Sequence, residues 1–539
     1  VRLHDKLDSL CQCGEDLKTI GIWKHASTHV PYLPLRECQQ NNYPIMFPNP
    51  NICDSEMYIM TSCVHNDIVG LRNRYLRDNP NCFTADATVI NRIIDELADK
   101  LRPHFTGKMS LREFLDEKKG KLRRRYEDAA RKIYDNGFNV ERHSDVQAFI
   151  KNEIYSEKKP PRMIMGRDPR FNLIYGLYTT ALEHAMVHLP EVSKGRNFKD
   201  RGKQFFDKIF GANIAEVDFS KYESTQRLEI LKLVELGLAK RLMCNDEYEV
   251  FRQCFIAKMR KRGVTVNGTT FEFWFCRGSG DMDTGLFNTL ITWVSCRYFE
   301  IVNNTGQFNF ICDGDDNLMK IPVGHPELVD TFAHFGFEAK LKLVTDYHDA
   351  EYCSGKFVQY QPGKFYYVQN VLKLMEQVRV FRKPQFAHCK GTYYHSLGYM
   401  YSVLYPNFPL YSRIASFLMR IAPRRRVNTT MLNEINPSHC DAFKGSKHLD
   451  LEIDVQTLEI EIAMCFDLTQ GEISRLSDWY DAKIVTISQD EDKRYNVTST
   501  PAVLLTPFEQ DVVEQLMETT VRRHVFSKLF QTRVVQHLG

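Results

Sequence analysis

Apolar residues recur every three to four positions along "SLREFLDEKKGKLRRRYEDAARKIYDNG", residues 110–137. Ser110 and Glu113 make a capping box, Phe114 and Leu115 open an apolar stripe, and Gly137 closes it, so the pattern predicts a helix. The same period predicts helices over 172–190, 227–243, 286–302 and 326–337. Alternating or continuous apolar runs predict a strand over 212–220 and three hairpins. One turns at Asn267-Gly268, one spans 308–321, and one spans 356–370. Pro160 and Pro161 forbid a helix between the first two helical stretches, so that segment is expected to be extended. The first hundred residues, broken at "PYLPL" and "MFPNPNIC", are expected to be irregular and laid over another lobe. Beyond residue 370 the pattern is mostly helical, with strand-like stretches near 484–504.

Composition narrows the class. With 539 residues, 43% hydrophobic and 26% charged, the chain reads as an ordinary globular protein of several domains or one large lobed enzyme. No apolar run reaches the ~18 residues of a membrane span; the nearest, 400–422, is broken by Pro406, Pro409 and Arg413. There is no signal-peptide pattern, and Val1 reads as the start of a piece of a larger product. The 15 cysteines include no C-x-x-C pair and are expected to be reduced, mostly buried thiols; zinc at Cys11, Cys13 and a distant histidine is a weak alternative. The net charge of +3 hides a basic stretch, 101–170, at net +7 and an acidic one, 447–499, at net −7. A polyanion would be drawn to the first.

The hairpin over 308–321 seats Asp313, Asp315 and Asp316 on a tight turn. They could form a solvated turn, bind calcium or hold magnesium. The calcium loop fails: position six is Leu318 and position twelve is Gly324, where glycine and glutamate are needed. A plain turn is weakened by Asp218, which also ends a strand-like run. If the two strands share a sheet, Asp218, Asp315 and Asp316 converge, as two hard cations acting on a phosphoryl group require.

Between these carboxylates lies "RGSGDMDTGLFNTLIT". Its glycines at 278, 280 and 285 miss the dinucleotide fingerprint, and no P-loop exists. A Gly-Ser-Gly turn precedes a helix on which Thr284 and Asn288 share a face, a spacing able to hydrogen-bond a ribose, though such pairs more often cap or face solvent.

In order and spacing, these segments resemble the RNA-dependent RNA polymerases of positive-strand RNA viruses, most of all the tombusvirus-like group. An acidic strand end (Asp218), S-G-x-x-x-T-x-x-x-N (Ser279 to Asn288) and G-D-D (Gly314 to Asp316) follow a basic segment, Lys151 to Arg170. "PPRMIMGRDPRFN", "KKGKLRRRYEDA", "FGFEAKLK" and "EYCSGKF" add further similarity, and together the matches cover residues 110–360. One departure is Glu223, which stands where the family usually has the second aspartate of D-x-x-x-x-D. That makes its expected role in sensing the 2′-hydroxyl less secure than metal binding by Asp218.

The resemblance implies an α+β right-hand polymerase: an antiparallel palm sheet flanked by helices, with fingers and a mostly helical thumb. The expected divisions are an N-terminal extension and fingers (1–175), palm (176–235), a fingers insertion (236–268), palm (269–368) and thumb (369–539). It implies two Mg²⁺ ions, with Mn²⁺ as an alternative, on Asp218, Asp315 and Asp316. Lys159, Arg162 and Arg170 would grip the triphosphate, and Ser279, Thr284, Asn288 and Glu223 would hold the nucleotide. Lys340 would protonate pyrophosphate, with Lys342 as competitor on the same strand face. RNA contacts are expected from Lys118, Lys119, Lys121, Arg123, Arg124, Lys151, Lys158, Arg167, Gly280, Cys353 and Ser354, mainly to phosphate and sugar. Trp479 and Tyr480 are candidates for an aromatic priming platform. Expected partners are template and product RNA, ribonucleoside triphosphates and other viral replication proteins. The expected site is the host cytoplasm, at a membrane-associated complex reached through missing sequence or a partner. Reverse transcriptase, metal-dependent nuclease and non-catalytic RNA-binding protein are the rival readings. The usual Y-x-D-D of the first is absent; the second has no need of a ribose-reading face, nor the third of aligned carboxylates.

Overall fold

The structure is a computed structural model that describes residues 6–10, 42–47, 50, 57–75 and 81–483, apart from 212, 275, 323–329, 423–425, 436 and 447–450. Its strands in chain order are β1 (Lys6–Leu10), β2 (Asn42–Pro44), β3 (Ile59–Met60), β4 (Val146–Ile150), β5 (Met163–Arg167), β6 (Asn213–Phe219), β7 (Arg260–Thr265), β8 (Thr270–Trp274), β9 (Phe310–Asp313), β10 (Asp316–Ile321), β11 (Ala339–Val344), β12 (Gly355–Gln361) and β13 (Lys364–Gln369). The sheet that matters most has the order β11-β6-β10-β9 and is antiparallel throughout. A second sheet, β5-β4-β7-β8, contains one parallel pair, β4 with β7. β12 and β13 form a separate hairpin, and β2-β1-β3 a small N-terminal sheet.

Strands β6, β9 and β10 of the central sheet send alternate side chains into two cores, while the edge strand β11 is mostly exposed. Ala215, Val217 and Phe219 of β6, with Phe310, Cys312 and Met319, join a core built around the helix Thr284–Asn303 and its fully buried Trp293. Ile214, Ile311 and Leu318 point the other way, into a core with Phe205 and Ile209 beside the helix Phe198–Lys208. That second core continues into the helices Lys390–Leu404, Tyr411–Arg420, Val455–Phe466 and Gln470–Ala482.

Several elements depart from expectation. The stretch 110–137 is two helices, Leu111–Glu117 with the expected capping box and Gly120–Asn136 closed by Gly137. Lys118 and Lys119 between them are extended, and Gly120 takes φ +56°, which glycine alone adopts without strain. After a short helix, Val140–His143, comes Pro169–Met186. It starts earlier than residue 172 because Asp168 caps it and Pro169 fills the first turn, where proline is favoured. The helical stretch 228–242 carries one widened turn, Lys232–Leu236. In the region expected to be a helix over 326–337, residues 330–337 form turns. Phe332, Phe335 and Phe337 are fully buried against Phe219, Tyr298 and Phe299, and that packing overrides a helical period. Tyr480 is not a platform: it is fully buried against Phe417 and the ring of Trp479. The cysteines in the described residues are free and mostly buried. Cys11, Cys13 and the strand-like stretch 484–504 lie outside the described residues. No helix among the described residues is long and apolar enough to cross a membrane.

Where the central region meets the C-terminal helices, His348 sits between two carboxylates. Its Nδ1 is 2.6 Å from Asp346 and its Nε2 3.4 Å from Glu461. Burial alone would lower the imidazole's proton affinity, but the two carboxylates outweigh it and raise it. A raised histidine contributes stability that is complete below its unfolded value, about 6.5, and fades as pH climbs through the folded one. The melting temperature is therefore expected to fall as pH rises past neutrality, and His348→Gln to flatten that slope in a thermal melt. An unchanged slope in the variant would remove His348 from the account.

Candidate active site

Register decides which carboxylates meet. Asn317 of β10 pairs with Val217 of β6, so the next rung brings Asp316 level with Asp218. Asp316 also pairs with Asp313 across the turn. On the other side of β6, Lys340 pairs with Asp218 and Lys342 with Glu216. Residues facing each other on paired strands share a sheet face, and so do alternate residues of one strand. Asp218, Asp313, Asp316 and Lys340 therefore lie on the face that, further along, buries Ile214, Ile311 and Leu318.

The turn itself is held by the helix Thr284–Asn303. The Gly314 N–H donates to the Thr289 hydroxyl at 2.9 Å, and the Thr292 hydroxyl donates to the Gly314 carbonyl at 2.7 Å. Gly314 has φ +68°, a conformation that glycine adopts at no cost. Asp315 and Asp316 are exposed residues, yet surrounding protein takes water from their carboxyls. Loss of water raises the Asp316 carboxyl to about 7, and the charges of Asp315, Asp313 and Glu351 add to the effect; the Cys353 backbone N–H opposes it. Asp315 is raised first by loss of water and then by Glu223, while Arg162 and Arg74 pull it down.

Around the carboxylates stand residues from distant parts of the chain. Burial would lower the proton affinity of Arg162, but the fields of Glu153, Glu223 and Asp315 raise it. Glu223 is buried and pairs with Arg74 at 3.4 Å. Arg201 pairs with Asp313 at 2.9 Å. The hairpin side is supplied by Cys353 and Ser354, both at positive φ (+51° and +57°), with Lys373 bonded to the Ser354 hydroxyl.

Ser279 and Gly280 are built against β5. The Met165 N–H donates to the Ser279 carbonyl at 2.7 Å, and a Cβ on Gly280 would stand 2.8 Å from Ile164. The Thr284 hydroxyl donates to the Gly278 carbonyl at 2.9 Å, so it also braces the turn. Asn288 is buried, and its Oδ1 accepts from Gln226 at 2.8 Å. Beneath lies a buried ion network. Lys258 pairs with Glu235 and Asp283. Arg277 reaches Glu235 at 2.6 Å and Asp283 at 3.2 Å, and Tyr175 donates to Asp283 at 3.0 Å.

The basic residues divide. Arg167 is 3% exposed, bonded to Asp281 at 2.6 Å and to the Lys258 carbonyl at 2.9 Å, so it cannot contact RNA as expected. The correction has a simple cause: in β5 it shares the inward face with Met163 and Met165. Arg170 lies partly exposed in a two-point pair with Asp168. Lys151 pairs with Glu153, and Lys158 and Lys159 lie over the rings of Tyr58 and Tyr155. Lys118 covers the Phe114 ring, Arg123 is bonded to Glu127 and Asp116, Lys119 and Lys121 are exposed, and Arg124 is partly so. Arg74, Arg201, Gln226 and Arg277 escaped the sequence reading, because each meets its partner across tens to hundreds of residues and no local spacing signals them.

Residues 85–392, more than half of the chain, match the family described as RNA dependent RNA polymerase. The chain is 26% identical to the RNA-directed RNA polymerase of Melon necrotic spot virus, over 48% of this chain and 35% of that protein. It is 26% identical to the Cucumber necrosis virus protein of the same name, over 44% and 31%, and 25% identical to that of Tomato bushy stunt virus, over 44% and 31%. The chain spans about a third of the length of these relatives.

Proposed function

The chain belongs to the RNA-dependent RNA polymerase family, and from that premise we propose that it synthesises RNA on an RNA template, replicating a positive-strand viral genome. The observation that carries this reading is the end of the central sheet. There Asp218 and Asp316 share a face beside Lys340, and Asp315 stands on the turn within the field of Glu223. A right-hand arrangement is part of the proposal. The palm would hold β6 and β9–β11, the fingers β4, β5 and β7, and the thumb the helices after residue 369. The fingers insertion would run to Trp274 and not stop at 268, since β8 is paired with β7.

The donor set fits divalent magnesium, with manganese as an alternative. Among the described residues no group of three or more His, Cys, Asp or Glu side chains is arranged to hold a metal ion, so these carboxylates would complete a Mg²⁺ site only together with water and substrate phosphates. A cation would offset the repulsion that Asp315, Asp313 and Glu351 exert on Asp316. Bound to Asp218, Asp315 and Asp316, two ions would lower the pKa of the 3′-hydroxyl and neutralise the triphosphate.

The remaining roles fall to side chains. Arg162 would meet the triphosphate, already standing in the field of Asp315; Lys159 would join it from an exposed position, and Arg170 only by exchanging Asp168. Lys340 would protonate the leaving pyrophosphate. It is preferred to Lys342, which is two rungs away and bonded to Glu216 at 3.5 Å. Asn288 would read the ribose, Glu223 would reach it only by leaving Arg74, and the Cys353-Ser354 turn would lie along the primer strand. Template and product RNA, ribonucleoside triphosphates and other viral replication proteins are the proposed partners. The proposed location is the host cytoplasm, at a membrane complex reached through a partner or another segment. The test is extension: the purified chain, given an RNA template, ribonucleotides and Mg²⁺, is expected to make a complementary strand. No template-dependent product would defeat the reading.

A further inference from the structure

We infer that Gln226 is a positioning residue for sugar selection: it turns the amide of Asn288 so that an N–H, and not a carbonyl, is offered to the nucleotide. This rests on the polymerase reading above and goes beyond it, since Gln226 belongs to none of the motif positions that carried the resemblance.

The two ends of an amide differ only as donor and acceptor, so its direction must come from its neighbours. Arg277 supplies that direction because a guanidinium can only donate. Its Nε donates to Gln226 Oε1 at 2.8 Å. Gln226 must then turn its Nε2 outward, and it donates to Asn288 Oδ1 at 2.8 Å. Asn288 is left with Nδ2 as the end for a ligand. Arg277 cannot drift, being held by Glu235 at 2.6 Å and Asp283 at 3.2 Å inside the buried network. Gln226 is fully buried where the chain leaves the short helix Tyr222–Thr225, so no water competes for its amide. Glu223, in the slot expected to contact the sugar, is paired with Arg74 instead.

An N–H donor rewards a sugar whose 2′ substituent accepts. With a 2′-hydrogen the buried donor is left unpaired, a loss that one hydrogen-bonding site turns into large discrimination.

The test compares incorporation of ribo-, 2′-fluoro- and 2′-deoxynucleotides by the full chain. Fluorine accepts but does not donate. The wild-type chain is therefore expected to use 2′-fluoro substrates better than 2′-deoxy ones; equal use would overturn the inference without any variant. Gln226→Glu keeps an acceptor for Arg277 but has no donor for Asn288, whose amide must then reverse. The 2′-fluoro-over-deoxy ratio of kcat/KM is expected to contract by about tenfold, with deoxynucleotide use changed by less than about twofold, because the reversed carbonyl still accepts from a ribose hydroxyl but gets nothing from fluorine. If both substrates lose equally, Gln226 is merely structural and the inference falls. Combining Gln226→Glu with Asn288→Asp is expected to contract the ratio no further than Asn288→Asp alone; additive losses would count against a shared path. A wild-type chain that adds no ribonucleotide at all would defeat the polymerase reading and this inference with it, an outcome distinct from wild-type synthesis with unchanged selectivity in the variant.

Discussion

Asp315→Ala is expected to lower nucleotide addition by about a thousandfold or more while the protein melts at the same temperature or slightly higher. The first half follows from position. Asp315 stands on the turn between β9 and β10, at the concentration of negative charge proposed to hold the metal, and losing one preorganised electrostatic contact costs ~10²–10³ in rate even before a metal ligand is lost with it. The second half follows from charge. Loss of water, and then Glu223, hold the Asp315 carboxyl above its ordinary value. A carboxyl raised on folding stabilises the fold only while protonated, and its ionised form is a cost that sets in as pH climbs through the folded value. Alanine removes that cost, and the backbone of the turn keeps its Thr289 and Thr292 bonds to Gly314. Template extension and a thermal melt on the same preparation read both halves. Near-normal synthesis would sink the metal assignment; a lost melting transition would mean that the turn needs this side chain to fold.

Lys258→Ala is expected to have the opposite profile, with stability failing first. Lys258 is 2% exposed, and its partners Glu235 and Asp283 are fully buried. Burial would raise the Asp283 carboxyl, but Lys258 and Arg277 outweigh it and hold it below its ordinary value, so it folds as an anion that depends on both cations. Removing one partner of a buried pair costs about 3–5 kcal/mol, because the remaining charges stay buried without compensation. Denaturant unfolding should show that loss. Pairing Lys258→Ala with Glu235→Gln should restore part of it, since one stranded anion is then neutral. A variant within about 1 kcal/mol of wild type would show that water or rearrangement replaces the lysine. Activity should fall as well, because the same network holds Arg277 and, through it, Gln226 and Asn288.

The comparison of sequence with structure turns on particular residues. The hairpin carrying Gly314 was legible because strand, turn and strand are neighbours in the chain and their signals are local. The helix around Asn288 was legible for the same reason. Arg167 was misread because residue type was weighed above strand parity: two positions from Met165 in a half-buried strand, it had to point inward. The turn at residues 330–337 was misread because buried phenylalanines can satisfy a helical period without forming a helix. The break at Lys118 had a signal in Gly120 that the capping box overshadowed.

What the sequence determined by itself was the set of local elements and the acidic, hydroxyl and amide groups they display, since periodicity, capping and turn chemistry depend on residues a few positions apart. The tertiary structure alone decided that Asp218 stands level with Asp316, that Lys340 and not Lys342 is its neighbour, and which end of the Asn288 amide is free. Those outcomes depend on register between distant strands, where a shift of one residue turns every side chain to the opposite face, and on a buried network assembled from four separate segments.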